Sequence, residues 1–176
     1  MRKIILQLAV SLDNYIEGPN GEIDWCFTDQ DYGMKDFFER IDTMFIGRKS
    51  YELMQQMGDD AMPGFPPLKE YIFSNTLKEV KPGAFIINGD IFSEIKKIKS
   101  QAGKNIWLFG GASLISELMK ADLVDELMLA VHPVLLGNGK PLFQAVSERK
   151  KLRLTDVITY NSGLVMLKYV ADEDNL

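Results

Sequence analysis

The chain has 176 residues, 46% of them hydrophobic and 26% charged, which is the size and mix of one globular domain with a full core of its own. Twenty basic residues against twenty-five acidic ones leave a net charge of −5, which argues against a nucleic-acid or anionic-membrane surface as the main partner. With one cysteine, Cys26, and one histidine, His132, the sequence holds no internal disulfide and no Cys- or His-based metal cluster, and no apolar run reaches membrane-spanning length. The start, Met1-Arg2-Lys3 followed by Ile4 to Val10, is too short for a cleaved leader and lacks a small-residue cleavage site. The expectation is a single cytoplasmic domain over residues 1–176.

Ile4 to Ser11 is a short apolar run that suits a buried strand. Asp13-Asn14 and Gly18-Pro19-Asn20-Gly21 then mark a turn-rich loop. Met34, Phe37, Phe38 and Ile41 recur at helical spacing, so a helix is expected from about Asp31 to Ile41. Met44-Phe45-Ile46 reads as a strand, Gly47 opens a helix through about Met57, and Met62 to Pro67, with three prolines, is loop. Tyr71-Ile72-Phe73 and Phe85-Ile86-Ile87 are two more strands. Ile91 to about Gln101 is an amphipathic helix with isoleucines on one face and lysines on the other. Asn105 to Phe109 is a strand, Gly110-Gly111 a turn, Ala112 to Lys120 a helix, and Asp125 to Val131 a strand ending at His132-Pro133. Lys151 to Tyr160 and Leu164 to Val170, joined through Asn161-Ser162-Gly163, form a hairpin. Strands alternating with helices and closing on an antiparallel pair describe a mixed-sheet α/β domain with helices on both faces.

Three strand-to-helix junctions concentrate the chemistry: Gly47-Arg48-Lys49-Ser50, Ser74-Asn75-Thr76, and Phe109-Gly110-Gly111-Ala112-Ser113. In an open α/β sheet, ligands bind beyond the carboxyl ends of the strands. Helix N-termini there present N–H groups and partial positive charge suited to phosphate, and glycine allows close approach to the backbone. Read singly, each junction is a plain connection. Two glycine-bearing junctions, a basic pair and a Ser-Asn-Thr turn together point to a nucleotide. Other templates fail. Gly137-Asn138-Gly139-Lys140 resembles a P-loop, but Pro141 stands where a magnesium-binding hydroxyl belongs. There is no Gly-x-Gly-x-x-Gly fingerprint and no Gly-x-Ser-x-Gly elbow. His132, at a strand end before proline, reads as a packed or surface histidine or, alternatively, as a general base.

The ordered set Ala9-Val10-Ser11-Leu12-Asp13, Gly47-Arg48-Lys49-Ser50-Tyr51-Glu52, Ser74-Asn75-Thr76, Phe109-Gly110-Gly111-Ala112-Ser113-Leu114 and Asp125-Glu126-Leu127 resembles the dihydrofolate-reductase-like superfamily. The continuation from His132-Pro133-Val134 through Gly139-Lys140-Pro141-Leu142-Phe143 is similar to its riboflavin-biosynthesis branch, the RibD C-terminal reductases. The likeness runs from about Ile4 to Tyr169. It implies a single domain with a mostly parallel, mixed eight-stranded sheet, helices on both faces and a C-terminal antiparallel hairpin. It also implies NADPH as cofactor, no metal, and a homodimer. By that resemblance Gly47, Arg48, Lys49 and Ser50 grip the pyrophosphate from one side, with Arg48 near the 2′-phosphate. Ser74, Asn75 and Thr76 meet the adenosine end, and Phe109, Gly110, Gly111, Ala112, Ser113 and Leu114 form the other side. The backbone of Ala9, with Ile16, lines the nicotinamide.

The same resemblance implies a cis peptide between Gly110 and Gly111, the alternative being a trans turn that lets the following helix pack close to its strand. Under the cis reading, Gly111→Ala weakens NADPH binding more than it lowers the melting temperature. Where family members show Ser-Leu-Asp-Gly, Asn14 replaces the glycine, and asparagine tolerates a positive φ there. Asp31 falls near the acid that folate reductases carry on their first helix, with Asp24 and Asp36 as rivals; a capping role is the alternative for it. The implied activity is NADPH-dependent reduction of a small pyrimidine- or pterin-like heterocycle. The nearest reaction is reduction of 5-amino-6-(5-phosphoribosylamino)uracil. Dihydrofolate or pteridine reduction, or a non-catalytic NADP-binding oligomeric module, are the other readings.

Overall fold

The computed structural model describes residues 1–58, 64–144 and 148–172. In chain order they form β1 (Ile4–Ser11), β2 (Tyr15–Glu17), α1 (Met34–Glu39), β3 (Ile41–Gly47), α2 (Arg48–Met57), β4 (Lys69–Phe73), β5 (Phe85–Ile87), α3 (Ile91–Ser100), β6 (Asn105–Gly110), α4 (Ala112–Lys120), β7 (Glu126–His132), β8 (Lys140–Pro141), β9 (Leu152–Thr159) and β10 (Val165–Ala171). Eight of the strands make one sheet in the order β5-β4-β3-β6-β1-β7-β10-β9, and β2 pairs with β8 beside it. From β5 to β7 all neighbours are parallel, whereas β10 runs antiparallel to both β7 and β9. This is the mixed, mostly parallel sheet with a C-terminal antiparallel pair that the residue pattern predicts, and its connectivity is that of the dihydrofolate-reductase-like fold.

Because the central strands are covered on both faces, alternate residues of one strand enter different cores. From β1 and β6, Ile4, Leu6, Ile106 and Leu108 pack with Ile95, Ile98, Ile115 and Leu118 of α3 and α4. Ile5 and Trp107 enter the opposite core with Phe37 of α1. That two-sided burial is why these strands read as continuous apolar runs rather than as alternation. Among the described residues, no helix is long and apolar enough to cross a membrane.

The structure corrects the expected elements at three points. The first helix is short: it begins at Met34, and Ile41, expected to close it, instead opens β3 and is buried as a strand residue. Tyr32 and Gly33 both hold positive φ, which blocks helix at Asp31 and turns the chain into α1 one residue later. The strands β2 and β8 add a second, small sheet that the sequence does not signal, because three and two residues carry no usable periodicity. Residues 64–67 are loop as expected, while Met62 and Pro63 lie outside the described residues. Finally, the peptide between Gly110 and Gly111 is trans, since no cis bond occurs among the described residues. Asn14, by contrast, holds the positive φ (70°) expected of it.

The trans turn works by proximity. β3 and β6 are neighbours, so the helices leaving them start side by side. A Cβ added at Gly111 would lie 3.0 Å from the Gly47 Cα, and one added at Gly47 would lie 3.2 Å from the Gly111 Cα. Gly111 also has φ +100°, a region L side chains rarely adopt. Both strain and crowding therefore act on the empty protein, which shifts the expectation for Gly111→Ala from affinity toward stability. This variant is expected to lose about 2–4 kcal/mol of folding stability, measured by urea denaturation without ligand. An unchanged urea midpoint would show that the two junctions do not lock each other.

Candidate active site

The three junctions singled out from the sequence lie together at the carboxyl edge of adjacent strands, β4, β3 and β6. Two of them open helices, α2 and α4; the junction at Ser74-Asn75-Thr76, expected to start a helix, runs instead through loop to β5, because the Ser74 hydroxyl ties the Thr76 and Leu77 N–H groups into a turn. The starts of α2 and α4 differ from that of α3 in a telling way. α3 is capped by Asp90, whose carboxylate accepts the Ser93 N–H at 3.2 Å, and Glu94 occupies its first turn. α2 starts on Gly47 and α4 on Gly111, with no side-chain cap and no acid in the first turn of either. Two adjacent helix N-termini thus keep their first N–H groups free of side-chain acceptors and of neutralising carboxylates. That donor set fits a diphosphate, with formal positive charge added by Arg48 and Lys49 on α2.

The surrounding side chains divide into those that face outward and those that anchor. Arg48 is half-exposed and makes a loose pair with Glu52, 3.8 Å away on the next turn. An exposed i,i+4 pair of this kind is worth little, so the guanidinium remains available. Lys49 and Ser113 are exposed, and Ser50 sits beside Gly110, with its Oγ 3.4 Å from where a Gly110 Cβ would be. Ala112 and Leu114 are buried and can offer only backbone N–H groups. At the third junction the side chains serve their own turns. Ser74 Oγ accepts the N–H groups of Thr76 and Leu77 at 3.2 and 2.9 Å, and Asn75 Oδ1 accepts that of Gly89 at 3.3 Å. Thr76 is exposed.

One strand further along, β1 supplies Ala9, half-buried and paired with Ala130 of β7; Ile16 of β2 packs against the α3–α4 core nearby. The end of β1 is tied down by Asp13. Its carboxylate accepts the Ser11 hydroxyl at 2.6 Å and the N–H groups of Leu136 and Gly137 at 3.1 and 2.7 Å. The Ser11 hydroxyl, helped by the two backbone donors, lowers the Asp13 pKa. On the α1 face of the sheet, half-buried Met34, Phe38, Met54, Phe65 and Phe109 gather around buried Trp107. Phe109 meets Trp107 edge-on at 4.9 Å, and Phe65 lies 5.2 Å from the same ring. This apolar, aromatic wall suits a flat heterocycle. Its parts come from α1, α2, β6 and the loop before β4, and only the fold reveals them as a set.

Asp31 is exposed, and both its carboxylate oxygens accept backbone N–H groups at 3.0 Å, from Gly33 and Lys35, so it organises the start of α1. Asp24 and Asp36 are exposed as well. Burial, with help from Asp24, pushes the Cys26 thiol up to about 11, which leaves it protonated and unreactive. His132, read as a packed histidine or a base, is the former: it is 3% exposed, and its Nε2 accepts the Phe27 N–H at 3.1 Å. Among the described residues no group of His, Cys, Asp or Glu could hold a metal ion. A cavity of about 510 Å³ opens at the C-terminal end of α2, lined by Met54 and Phe65 of the aromatic wall together with Glu70 and Lys81.

The RibD C-terminal domain family model matches residues 2–166. The chain is 46% identical over 177 residues to the uncharacterized protein YyaP of Bacillus subtilis, covering 96% of this chain and 94% of that one. A crystal structure of a protein assigned to riboflavin biosynthesis, from Shewanella sp. PV-4, superposes with a TM-score of 0.85 at 26% identity, covering 97% of this chain and 99% of its own. A dihydrofolate reductase from Enterococcus faecalis, complexed with NADP(H), shares the fold at a TM-score of 0.69 and 15% identity, with 97% of each chain covered. With its eight-stranded sheet, its paired glycine junctions and a match over nearly its whole length, the chain belongs to the RibD C-terminal domain family.

Proposed function

We propose that the protein is a cytoplasmic, NADPH-dependent reductase of a small pyrimidine- or pterin-like heterocycle. Within the family, its reaction is nearest to reduction of 5-amino-6-(5-phosphoribosylamino)uracil. The observation that carries this reading is the pair of uncapped, glycine-started helix N-termini held side by side, with Arg48 and Lys49 in the first turn of one. The N–H groups at the starts of α2 and α4, from Arg48 to Ser50 and from Ala112 to Leu114, would hold the pyrophosphate between them. Arg48 meets the 2′-phosphate, the turn at Ser74, Asn75 and Thr76 the adenosine end, and the Ala9 backbone with Ile16 the nicotinamide. Phe109, Gly110 and Gly111 form the strand end beneath. When bound, NADPH supplies a hydride from nicotinamide C4; the protein's part is orientation and a dry wall.

The wall of Phe38, Met54, Phe65 and Phe109 would stack the substrate ring on the α1 face, the face that Ala9 shares. The accompanying proton comes from Asp31 or from water. The engagement of both Asp31 oxygens by the start of α1 favours water. The same engagement favours one rival reading, a non-catalytic NADP-binding module that has kept the fold. NADPH oxidation with a panel of aminouracil ribosyl precursors, dihydrofolate and pterins separates the readings, since tight NADPH binding without turnover on any of them supports the module.

The sheet edge supports a homodimer. Every residue of β9 is exposed, and Leu152, Leu154, Val157 and Ile158 are between 36% and 48% so. With β10 on one side and no strand of this sheet on the other, an apolar edge of this length is what a second copy would cover.

Three outcomes follow from this reading. Arg48→Ala is expected to cost about 1.5–3 kcal/mol of NADPH affinity by calorimetric titration while leaving NADH affinity unchanged, because only NADPH carries the 2′-phosphate. Equal wild-type affinities for the two cofactors would remove Arg48 from that role. Asp31→Asn is expected to keep turnover within about threefold of wild type, whereas a loss of about a hundredfold or more would make Asp31 the proton donor. Light scattering at micromolar concentration is expected to give about 40 kDa, twice the 19.9 kDa chain, and Leu154→Lys to shift it toward the monomer. A wild-type mass near 20 kDa would leave β9 as a bare edge.

A further inference from the structure

The segment from Ile23 to Gln30 has no regular secondary structure and lies against His132 at the end of β7 and Tyr32 just before α1. Its internal hydrogen bonds are local: Trp25 Nε1 donates to the Glu22 carbonyl at 3.2 Å, and the Cys26 N–H to that of Ile23 at 3.1 Å. Among the described residues, the hydrogen bond that joins this segment to the sheet is the one from the Phe27 N–H to His132 Nε2 at 3.1 Å. Two ring contacts reinforce it, Trp25 and Phe27 standing edge-on to the imidazole at 5.3 and 5.0 Å. A backbone N–H can only donate, so Nε2 is the lone-pair nitrogen. The proton is therefore on Nδ1, which donates to the Ala130 carbonyl at 2.9 Å. His132 is thus a neutral imidazole of fixed tautomer, buried at the end of β7 with its acceptor turned toward the loop.

We propose that His132 is a positioning residue, a neutral acceptor that latches the Trp25–Phe27 loop onto the carboxyl end of β1 and β7, and that proton uptake at its Nε2 releases the loop. Protonation would set an N–H against the Phe27 N–H, two donors face to face in a dry site. Burial already holds the His132 pKa below its ordinary value, with the carbonyls of Ala130 and Val10 pulling weakly the other way. A lowered folded-state pKa means that the stabilisation is complete above the ordinary histidine range and is lost as pH falls through the depressed value. The other titratable groups nearby are occupied or do not act on it. Asp29 accepts the Tyr32 hydroxyl at 2.7 Å, Asp13 is held by Ser11, Leu136 and Gly137, and Cys26 stays protonated. Neither these groups nor Asp24 and Tyr160 contribute to the His132 shift.

The placement gives the latch a role in the reductase proposed above, on which this part of the inference rests. His132 pairs with Ser11, Ala9 pairs with Ala130, and all four side chains share one face of the sheet. The latched loop would therefore wall the nicotinamide end, and its release would admit water and lower turnover in acid.

The test uses the intact chain. Trp25 is half-buried and Trp107 is 2% exposed, so acrylamide quenching of fluorescence reads Trp25, with Trp25→Phe as the control. Quenching is expected to rise about twofold or more as pH falls from 7.5 toward 5. His132→Gln, whose amide oxygen accepts at the Nε2 position but does not titrate, is expected to stay at the closed level throughout, and His132→Leu to stay open throughout. On the unmutated chain, hydrogen exchange at the Phe27 amide is expected to accelerate over the same range. A wild-type loop that stays closed to pH 5, or a His132→Gln variant that opens as wild type does, overturns the latch. None of these readings needs cofactor or substrate, so a failed reductase assay leaves them standing. If the loop opens while NADPH-dependent turnover is unchanged, the latch holds and its place at the nicotinamide is wrong.

Discussion

The close approach of Gly47 and Gly111 is the constraint on which the functional edge of this protein depends. Two parallel neighbouring strands each turn into a helix at that edge, and side chains at either turn would force the helices apart. With hydrogen in place of Cβ, the two N-termini come to lie together, and their partial charges add rather than being met by a capping carboxylate. α3 shows the contrast within one chain: where no such approach occurs, the helix begins on Asp90 and is capped in the ordinary way. The missing caps leave local stability unrealised at α2 and α4, consistent with helix starts that serve a ligand.

The rest of the site is assembled by ties across long sequence separations. Asp13 fastens the Leu136–Gly137 turn to the end of β1, and His132 fastens the loop at Phe27 to the end of β7. Both ties close on adjacent strand ends, so one edge of the sheet carries bare helix-start N–H groups at β3 and β6 and a pinned loop at β1 and β7. Division of labour along the edge matches an extended ligand with a charged end and a planar end.

Most of the fold was legible because its central strands are buried on both faces and its helices carry clear apolar stripes: Ile4–Ser11, Asn105–Gly110 and Ala112–Lys120 lie where the pattern puts them. The boundaries failed where backbone conformation overrode periodicity. Ile41 fits the helical spacing of Met34, Phe37 and Phe38, yet positive φ at Tyr32 and Gly33 shortens α1, and Ile41 satisfies its burial in β3 instead. The glycines of the junctions were legible as close-approach positions, but their use was not: the trans bond at Gly110 packs one helix start on another. The aromatic wall and the His132 tie were invisible for a different reason. Phe65 meets Trp107, and Phe27 meets His132 105 residues away, through tertiary contacts that leave no mark on local spacing.

The central claim is that the two bare helix starts form one cofactor site. Titrating NADP⁺ into ¹⁵N-labelled protein tests it at single-residue resolution. The account predicts that the amides of Arg48, Lys49 and Ser50 and those of Ala112, Ser113 and Leu114 shift together, with one shared affinity. Saturable binding that moves other amides while leaving both helix starts in place would contradict it.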